Sequence, residues 1–363
     1  MQNITSIKER FSELLLKWNN EKNNRQMPWK GEKDPFKIWL SEIMLQQTRV
    51  EQGLNYYNRF INTFPDIHQL ANAPDEKVFK MWEGLGYYSR CKNLLSTARY
   101  ISKERRGKFP ETFEEIKALK GIGPYTAAAI ASFAFDLPYA VVDGNVFRVL
   151  ARVFGIKEPV DTTKGKKIFS HVANELLYKR HPGKYNQAIM DFGAVICKPA
   201  APFCSQCPFQ KSCFAFLNKK IEQLPVKAKK ISIKHRWFYY LLLEYRGKIA
   251  IRQRTHKDIW QQLYEFPLVE TTTEQDQRRI LQLAIKNKIL KKDGFEFTSM
   301  SPLYKQKLSH QLISGQFLKV KLKLKPETMK DCIWISHKQI HQFAFPVFIN
   351  QYLQQKDGRQ SLF

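Results

Sequence analysis

The chain has 363 residues, of which 43% are hydrophobic, so it is long enough to form two domains with proper cores. Its 60 Lys and Arg residues outnumber 33 Asp and Glu residues and give a formal net charge of +27. This charge favours a polyanionic partner, with nucleic acid ahead of an anionic membrane surface. A charged surface that serves only solubility is the plainer alternative.

The N-terminal segment MQNITSIKERFSELLLKW mixes charged residues into its apolar positions. This pattern predicts an amphipathic helix and not a signal peptide. No apolar run in the sequence approaches the length of a membrane span. We therefore expect the chain to remain in a reducing compartment, where disulfides are rare.

Residues 1–217 are predicted to be mainly helical, because apolar positions recur at helical spacing between short Gly and Pro segments. One of these helices, in WLSEIMLQQTRV, carries Glu42 among apolar and amide residues. An acid in apolar surroundings tends to keep its proton, which suits a general acid. The alternative is a surface glutamate on an amphipathic helix.

The segment LKGIGPYTAAAI, residues 119–130, predicts two helices joined by a tight hairpin. Gly121 and Gly123 would let the backbone approach a phosphate, and the second helix would present its N-terminal amides to that anion. This pattern is typical of a helix–hairpin–helix, which holds DNA without reading its sequence. A plain helix–helix turn is the alternative.

Asp143 follows two valines and precedes Gly-Asn at the start of another helical stretch. A carboxylate that stays ionised can face a developing cation. Together with a protonated Glu42, it would provide the two carboxyl groups used in glycoside cleavage. Asp143 could equally be a helix N-cap.

Four of the six cysteines are crowded into one short segment with the pattern Cys-x6-Cys-x2-Cys-x5-Cys, namely Cys197, Cys204, Cys207 and Cys213. Four thiolates in one loop can enclose a soft metal centre. The spacing favours an iron–sulfur cluster, with structural zinc as the competing interpretation. Cys91 and Cys332 stand apart and are expected to be ordinary small core residues.

The lysine-rich stretch at residues 218–236 predicts a basic linker on or near DNA. After it, aromatic or alternating segments predict strands, and RRILQLAIKNKIL between them predicts a helix. Residues 237–363 are therefore expected to form a separate α+β domain.

The hairpin, VVDGNV and the four-cysteine loop together resemble the endonuclease III superfamily of DNA glycosylases. Further strings tighten the resemblance to the MutY adenine glycosylases, and these are RQMPWK, WLSEIMLQQTRV, GLGYYSRCKNL and YNQAIMDFGAVIC. The resemblance implies two helical lobes with a 4Fe-4S cluster in the loop 197–213. It also implies a C-terminal nudix-like domain, carried by WQQLYEFP. The glutamate-rich box of nudix hydrolases is absent from the segment that follows, so we expect no pyrophosphatase activity.

The resemblance implies roles for three residues of the active site. Glu42 would protonate adenine at N7 and help to position or activate water, and Asp143 would stabilise the oxocarbenium-like sugar or bond to it transiently. Tyr125 stands where the strand-cutting relatives have a lysine nucleophile. Because tyrosine cannot form a Schiff base, we expect base removal without efficient β-elimination.

The resemblance also implies contacts with DNA and with both bases of the mispair. The matching residues are Gln46, Gln47 and Tyr87 as probes of the mismatch, Arg25, Trp29, Lys30 and Asp191 at the adenine pocket, and Ser309 and His310 as readers of 8-oxoguanine. Tyr87 could instead be a core residue, Asp191 a structural one, and Ser-His a simple turn. Lys30 stands where relatives often have arginine, and Leu308 where the reading loop usually has phenylalanine, so this chain departs from the family there.

These features predict a monofunctional glycosylase of base-excision repair that removes adenine opposite 8-oxoguanine, and also opposite guanine. We expect a monomer that acts on double-stranded DNA, with no membrane partner, in the cytoplasm and associated with the bacterial nucleoid. A strand-cutting lyase for oxidised pyrimidines is the rival enzyme. A DNA-binding protein that uses its cluster as a sensor is the rival from another class.

Overall fold

Helices form most of the first 217 residues, as the sequence predicts. The computed structural model describes residues 2–228, 232–325 and 329–357. The helices in the first part are α1 (Gln2–Lys22), α2 (Pro35–Leu45), α3 (Val50–Thr63), α4 (Ile67–Asn72), α5 (Asp75–Trp82), α6 (Ser89–Glu104), α7 (Phe113–Ala118), α8 (Pro124–Phe135), α9 (Gly144–Phe154), α10 (Thr163–Leu176), α11 (Pro182–Val195) and α12 (Phe214–Leu217). Two short 3-10 helices, Cys204–Gln206 and Gln210–Ser212, lie in the cysteine loop. None of the helices in the described part of the chain is long and apolar enough to cross a membrane.

Contacts within the chain define two units that do not follow the order of the sequence. The first unit comprises Met1–Asn72 and Asn93–Lys230, and the second comprises Ala73–Lys92 and Ile231–Phe363. Helix α5 and the start of α6 therefore pack with the C-terminal residues. The sequence gives no sign of this association, since residues 1–217 all have a helical pattern.

The N-terminal helix α1 forms part of the core of the first unit. Phe11 stacks on Phe209 with ring centroids 4.6 Å apart, and Trp18 meets the edge of Phe192 at 5.0 Å. All four side chains belong to one cluster with buried residues of α9 and α11. The amphipathic helix predicted for the N-terminus thus stabilises the layer that carries the cysteine loop, because burial of aromatic side chains dominates the energy of such cores.

The second unit contains a mixed sheet and two helices beside the segment 73–92. Its strands are β1 (Lys234–Tyr245), β2 (Lys248–Gln253), β3 (Tyr264–Glu265), β4 (Leu268–Thr271), β5 (Phe295–Met300), β6 (Tyr304–Lys307), β7 (Gln311–Leu322) and β8 (Cys332–Ser336), and its helices are α13 (Gln277–Lys286) and α14 (Val347–Asp357). A short 3-10 helix spans His337–Gln342. The predicted α+β class is confirmed.

Strand β1 lies at the centre of this sheet, whose main order is β3-β2-β1-β7-β5. It pairs with β7 in parallel and with β2 and β4 antiparallel. Residues 238–243 of β1 are all buried, as expected for a strand covered on both faces. Gly315 of β7 makes the parallel pairing possible, because a Cβ atom there would lie 1.9 Å from the Phe238 carbonyl oxygen.

The segment 218–236 differs at both ends from the linker that the sequence predicts. Leu224 is buried in the core of the first unit, and Val160 donates a backbone hydrogen bond to Val226. At the other end, Arg236 lies within β1 and is buried. Part of the predicted linker, residues 229–231, lies outside the described residues. The lysine-rich composition therefore gives no indication that residues near Leu224 pack on the first unit and that Arg236 belongs to a strand of the second.

Candidate active site

Glu42 is a buried acid whose carboxylate accepts a hydrogen bond from a hydroxyl. Its helix α2 begins with an N-cap at Asp34, which accepts the amide of Phe36 with Pro35 at the first position. Glu42 is only 5% exposed, so it is not the surface glutamate of the alternative interpretation. The hydroxyl of Tyr125 donates to its Oε2 at 2.7 Å.

Burial raises the pKa of Glu42 to about 7, while the hydrogen bond from Tyr125 opposes this rise and the nearby Asp143 adds to it. A carboxyl group with such a pKa is partly protonated at neutral pH. It can therefore donate a proton to a substrate, which an ordinary glutamate with a pKa of about 4.3 cannot do efficiently.

Tyr125 is the second residue of α8, the second helix of the candidate helix–hairpin–helix. Gly121, between α7 and α8, has a φ of +81°, and a Cβ atom there would lie 2.6 Å from the Cβ atom of Asn93. This position therefore requires glycine. Gly123 is the N-cap of α8 and has open space where a Cβ atom would be.

Asp143 is the N-cap of α9, which begins at Gly144. Its Oδ1 accepts the amide of Val146 at 2.8 Å, and its Oδ2 accepts the side-chain amide of Asn145 at 2.7 Å. Burial raises the pKa of Asp143, whereas these donors favour its ionised form. The N-cap and the candidate catalytic carboxylate are thus the same group, and the two interpretations are compatible.

Both acids line one cavity of about 440 Å³ in the first unit. Of the residues predicted from the sequence, this cavity contains Arg25, Trp29, Glu42, Gln46, Gln47, Tyr125 and Asp143. It is of the size that binds small aromatic ligands, and its walls combine apolar side chains with a few polar groups. The side-chain amide of Gln46 donates to Thr126 at 3.3 Å, which ties the end of α2 to α8.

Two predicted pocket residues, Asp191 and Lys30, are not among the residues that line this cavity. Asp191 is 0% exposed and accepts hydrogen bonds from Arg25 at 2.9 Å and from Gln187 at 3.0 Å. Asn23 also donates to it at 2.9 Å, and Lys30 pairs with it at 3.2 Å. The geometry favours a supporting role for Asp191, in which it holds the side chains of the cavity wall.

Sequence reasoning missed eight residues that line this cavity, and three of them carry polar or long side chains near Asp143 or Asp191 in the sequence, namely Asn145, Gln187 and Met190. Gln187 and Asp191 are one helical turn apart on α11, so spacing alone could not decide which of them faces the cavity. All three occur in the strings VVDGNV and YNQAIMDFGAVIC that carried the resemblance.

A second cavity, of about 590 Å³, lies in the second unit. It is lined by Tyr87, Leu308, Ser309 and His310 together with residues 257–261. The hydroxyl of Tyr87 hydrogen-bonds to that of Ser309. Tyr87 has a φ of +48° and is 42% exposed, so it is not the core residue of the alternative interpretation. This contact is one of several between residues 73–92 and the C-terminal part of the unit, since Lys80 also donates to the carbonyl of Phe343 and Glu83 accepts the amide of Phe345.

The turn before Tyr87 is held by Arg90, which is itself buried. Its guanidinium donates to the carbonyl of Gly86 at 3.1 Å and lies 5.5 Å from the centre of the Tyr87 ring. Trp82 donates to the same carbonyl at 3.1 Å. These contacts support the left-handed conformation of Tyr87, which a residue other than glycine adopts only when its surroundings compensate for the strain.

The four clustered cysteines all line one small cavity in the first unit. The guanidinium of Arg152, which is 3% exposed, lies 3.6 Å from the sulfur of Cys197 and also donates to the carbonyls of Lys198 and Pro199. Arg152 therefore places a buried cation beside the cysteine loop, and its hydrogen bonds hold the backbone of that loop in place. Within the described residues, no group of three or more His, Cys, Asp or Glu side chains is placed to hold a metal ion. Four cysteines that line one cavity match the number of ligands of a 4Fe-4S cluster, and equally that of a structural zinc site.

Comparisons with known proteins agree with this architecture. Residues 40–174 match the family model of the HhH-GPD superfamily base excision DNA repair protein, and residues 238–355 match the NUDIX domain. An adenine DNA glycosylase of Buchnera aphidicola from Acyrthosiphon pisum is 36% identical over 264 residues, which cover 73% of this chain and 75% of that relative. The human adenine DNA glycosylase is 40% identical over 224 residues, which cover 59% of this chain and 41% of the human protein.

The chain belongs to the adenine DNA glycosylase family. This adenine glycosylase is thus an N-glycosylase of base-excision repair with DNA as its substrate. Its first part also resembles the solved structure of a thermostable thymine-DNA glycosylase, with 27% identity and a TM-score of 0.55, over 59% of this chain and 99% of that one. The predicted membership and fold class are confirmed.

The pKa of Glu42 predicts how adenine release depends on pH. Because the protonated form is the proton donor, we expect the single-turnover rate to fall as pH rises through about 7. The Tyr125→Phe variant removes the hydrogen bond that favours the ionised form, so its rate should fall at a higher pH than in the parent. The measurement is adenine release under single-turnover conditions across this pH range.

Tyr185→Phe is the matched control, because the buried Tyr185 hydroxyl has no hydrogen-bond partner among the described residues. Its pH profile should coincide with that of the parent. A Tyr125→Phe profile that is unchanged, or shifted to lower pH, would show that the Tyr125 hydroxyl does not control the ionisation of the acid.

Proposed function

We propose that this adenine glycosylase hydrolyses the bond between C1′ and N9 of adenine paired with 8-oxoguanine, and also with guanine, without cutting the strand efficiently. The observation that carries the proposal is that Glu42 and Asp143 line one cavity but have different partners. Glu42 has a hydroxyl beside it, whereas Asp143 has two N–H donors. This difference separates the tasks of the two acids.

Glu42 is the general acid in this mechanism. Adenine is a poor leaving group, so the base must gain a proton, at N7, before or as the glycosidic bond breaks. The target adenine has to leave the base stack to reach the cavity. After it has given up its proton, the Glu42 carboxylate is the base that positions and activates water. Its pKa near 7 suits both steps.

Asp143 faces the sugar as that sugar becomes positively charged. The amide of Val146 and the side chain of Asn145 stabilise its anion, and this anion stabilises the oxocarbenium-like sugar by charge, or by a transient bond to C1′. Arg25, Trp29, Gln46 and Gln47 complete the walls around the base. Asp191 accepts a hydrogen bond from the Arg25 side chain, and Lys30 donates one to the Arg25 carbonyl, so both residues hold Arg25 in the cavity wall.

The absence of efficient strand cleavage follows from Tyr125. Its hydroxyl is already donated to Glu42, and tyrosine cannot form the Schiff base that β-elimination requires. As far as the described residues go, no lysine lines this cavity. The described lining of this cavity therefore lacks the lysine nucleophile that the lyase relatives need.

Recognition of the base opposite adenine is assigned to the cavity of the second unit. Tyr87 is exposed beside Ser309 and His310, and an aromatic ring at this position can wedge between base steps. Ser309 and His310 supply polar atoms that can distinguish 8-oxoguanine from guanine. Leu308 also lines this cavity and contributes apolar contact without aromatic stacking.

Cys197, Cys204, Cys207 and Cys213 are the ligands of a 4Fe-4S cluster in this proposal. The cluster supplies a rigid, charged centre for a loop that has little secondary structure of its own. Arg152 and Arg148 bond to backbone carbonyls of this loop, and Arg148 donates to Cys197 at 2.6 Å. Together with Gly121 and Gly123 of the hairpin, the loop serves to hold duplex DNA by its backbone, and the enzyme acts as a monomer.

The Glu42→Gln variant tests the acid directly. We expect it to lose adenine release by at least about 100-fold, because general acid catalysis typically contributes that much. Its affinity for an adenine:8-oxoguanine duplex should stay within about threefold of the parent, since glutamine keeps the shape. The assay pairs 8-oxoguanine with adenine, cytosine or thymine, adds an adenine:guanine duplex, and includes a borohydride trap.

In the parent, we expect release of adenine only and no trapped covalent complex. Strand cleavage without added base, or trapping by borohydride, would instead favour a lyase. Parental excision by Glu42→Gln would remove Glu42 from the mechanism, and a parent that released no base would support a DNA-binding protein without catalysis.

The cluster is tested by metal analysis. The purified chain should contain about four irons and four acid-labile sulfides per molecule, and little zinc. Cys207→Ser should lose most of this iron, whereas Cys332→Ser should keep it, because Cys332 lies in the second unit. Stoichiometric zinc without iron would overturn the assignment, as would equal iron in both variants.

A further inference from the structure

Arg236 has all five of its N–H donors engaged inside the second unit. This side chain is on β1 and the residue is 7% exposed. Its Nε and Nη2 donate to the two oxygens of Glu270 at 2.7 and 2.8 Å. Its Nη1 and Nη2 donate to the two oxygens of Asp258 at 2.9 and 2.7 Å. The remaining donor on Nη1 bonds to the side-chain oxygen of Gln311 at 3.1 Å.

The arrangement balances one buried cation against two carboxylates. Burial alone would raise the pKa of Asp258, but the hydrogen bonds and charge of Arg236 keep that pKa below its ordinary value. Asp258 also accepts from Arg254 at 2.8 Å. Bidentate pairs between guanidinium and carboxylate fix direction as well as distance, so this network specifies where its partners lie.

Two of the partners of Arg236 lie in two separate chain segments that form walls of the cavity that contains Ser309 and His310. Asp258 belongs to the loop between β2 and β3, and Gln311 directly follows His310 at the start of β7. The backbone amide of Lys234, two residues before Arg236, donates to the carbonyl of His310 at 3.0 Å. The strand that carries Arg236 is thus joined to both walls.

We propose that Arg236 is a positioning residue that fixes the two walls of this cavity relative to each other and thereby sets the preference for 8-oxoguanine over guanine opposite adenine. The inference rests on the proposed function of the cavity. It adds that selectivity depends on a residue that does not line the cavity itself. A difference of one atom between two bases can be read only when the reading groups are held to within a fraction of an ångström.

Lysine at this position would retain the charge but lose the planar fork. In Arg236→Lys we expect the ratio of single-turnover rates, adenine:8-oxoguanine over adenine:guanine, to fall about tenfold. The rate on adenine:guanine should stay within about twofold, because the chemistry in the first unit is unchanged. Amide hydrogen exchange should become faster in residues 254–262 and 307–311 only. A general loss of stability would instead make exchange faster throughout the second unit.

Arg252→Lys on β2 is the matched control. Arg252 pairs with Glu265 at 3.1 Å and Asp331 at 3.6 Å and does not line the cavity. Its rate ratio and its exchange in the two loops should match the parent. A second variant, Arg236→Gln, removes the cation that Glu270 and Asp258 share, while Asp258 keeps its bond to Arg254, and it should lower the ratio further than lysine does.

Three results would overturn the inference. They are an unchanged ratio in Arg236→Lys, an equal loss on both substrates, or an equal effect in Arg252→Lys. If the parent protein showed no preference for 8-oxoguanine over guanine, the proposed function of the cavity would be wrong. This failure is distinct from failure of the inference about Arg236, because it is seen in the parent protein without any substitution.

Discussion

Glu42 is buried, and in the described part of the chain no cationic side chain bonds to its carboxylate. The proposed chemistry of this site depends on that constraint. Two other acids within the described residues, Asp191 and Glu265, are even more buried than Glu42, and they have different partners. Asp191 is bonded to Arg25 and Lys30, and Glu265 to two arginines. Burial raises the pKa of Glu42 to about 7, and among the described residues no arginine or lysine bonds to its carboxylate to oppose that rise.

Hydrogen bonds and close packing in the first unit hold the second acid, Asp143, in place. Asp143 begins α9 as its N-cap, and its partner Asn145 accepts a hydrogen bond from Arg148 at 2.8 Å. Arg148 in turn donates to carbonyls at Gly193 and Cys197. Gly193 lets α11 approach closely, since a Cβ atom there would lie 2.6 Å from that of Asn145. The start of α9 is therefore fixed by packing as well as by hydrogen bonds.

Much of this site could be predicted from sequence because its residues lie in short local patterns. The cysteine spacing, the Gly-Ile-Gly hairpin and the acid in an apolar helix each depend on neighbours a few residues away. Gln187 was missed because it and Asp191 have the same helical spacing, and only the fold decides which of them faces the cavity. The sequence pattern places Arg236 at the end of a basic linker, because nothing in the neighbouring residues shows that it would pair with Asp258 and Glu270. The association of residues 73–92 with the second unit is also a long-range property.

The central claim is that Glu42 holds a proton near neutral pH. Infrared difference spectroscopy of the carboxyl C=O stretch, with the parent compared with Glu42→Gln, measures this directly. We predict a carboxyl band that disappears as pH rises through about 7 in the parent and is missing from the variant. If the only carboxyl bands titrate at the ordinary glutamate pKa of about 4.3, Glu42 is ionised at neutral pH and cannot be the general acid.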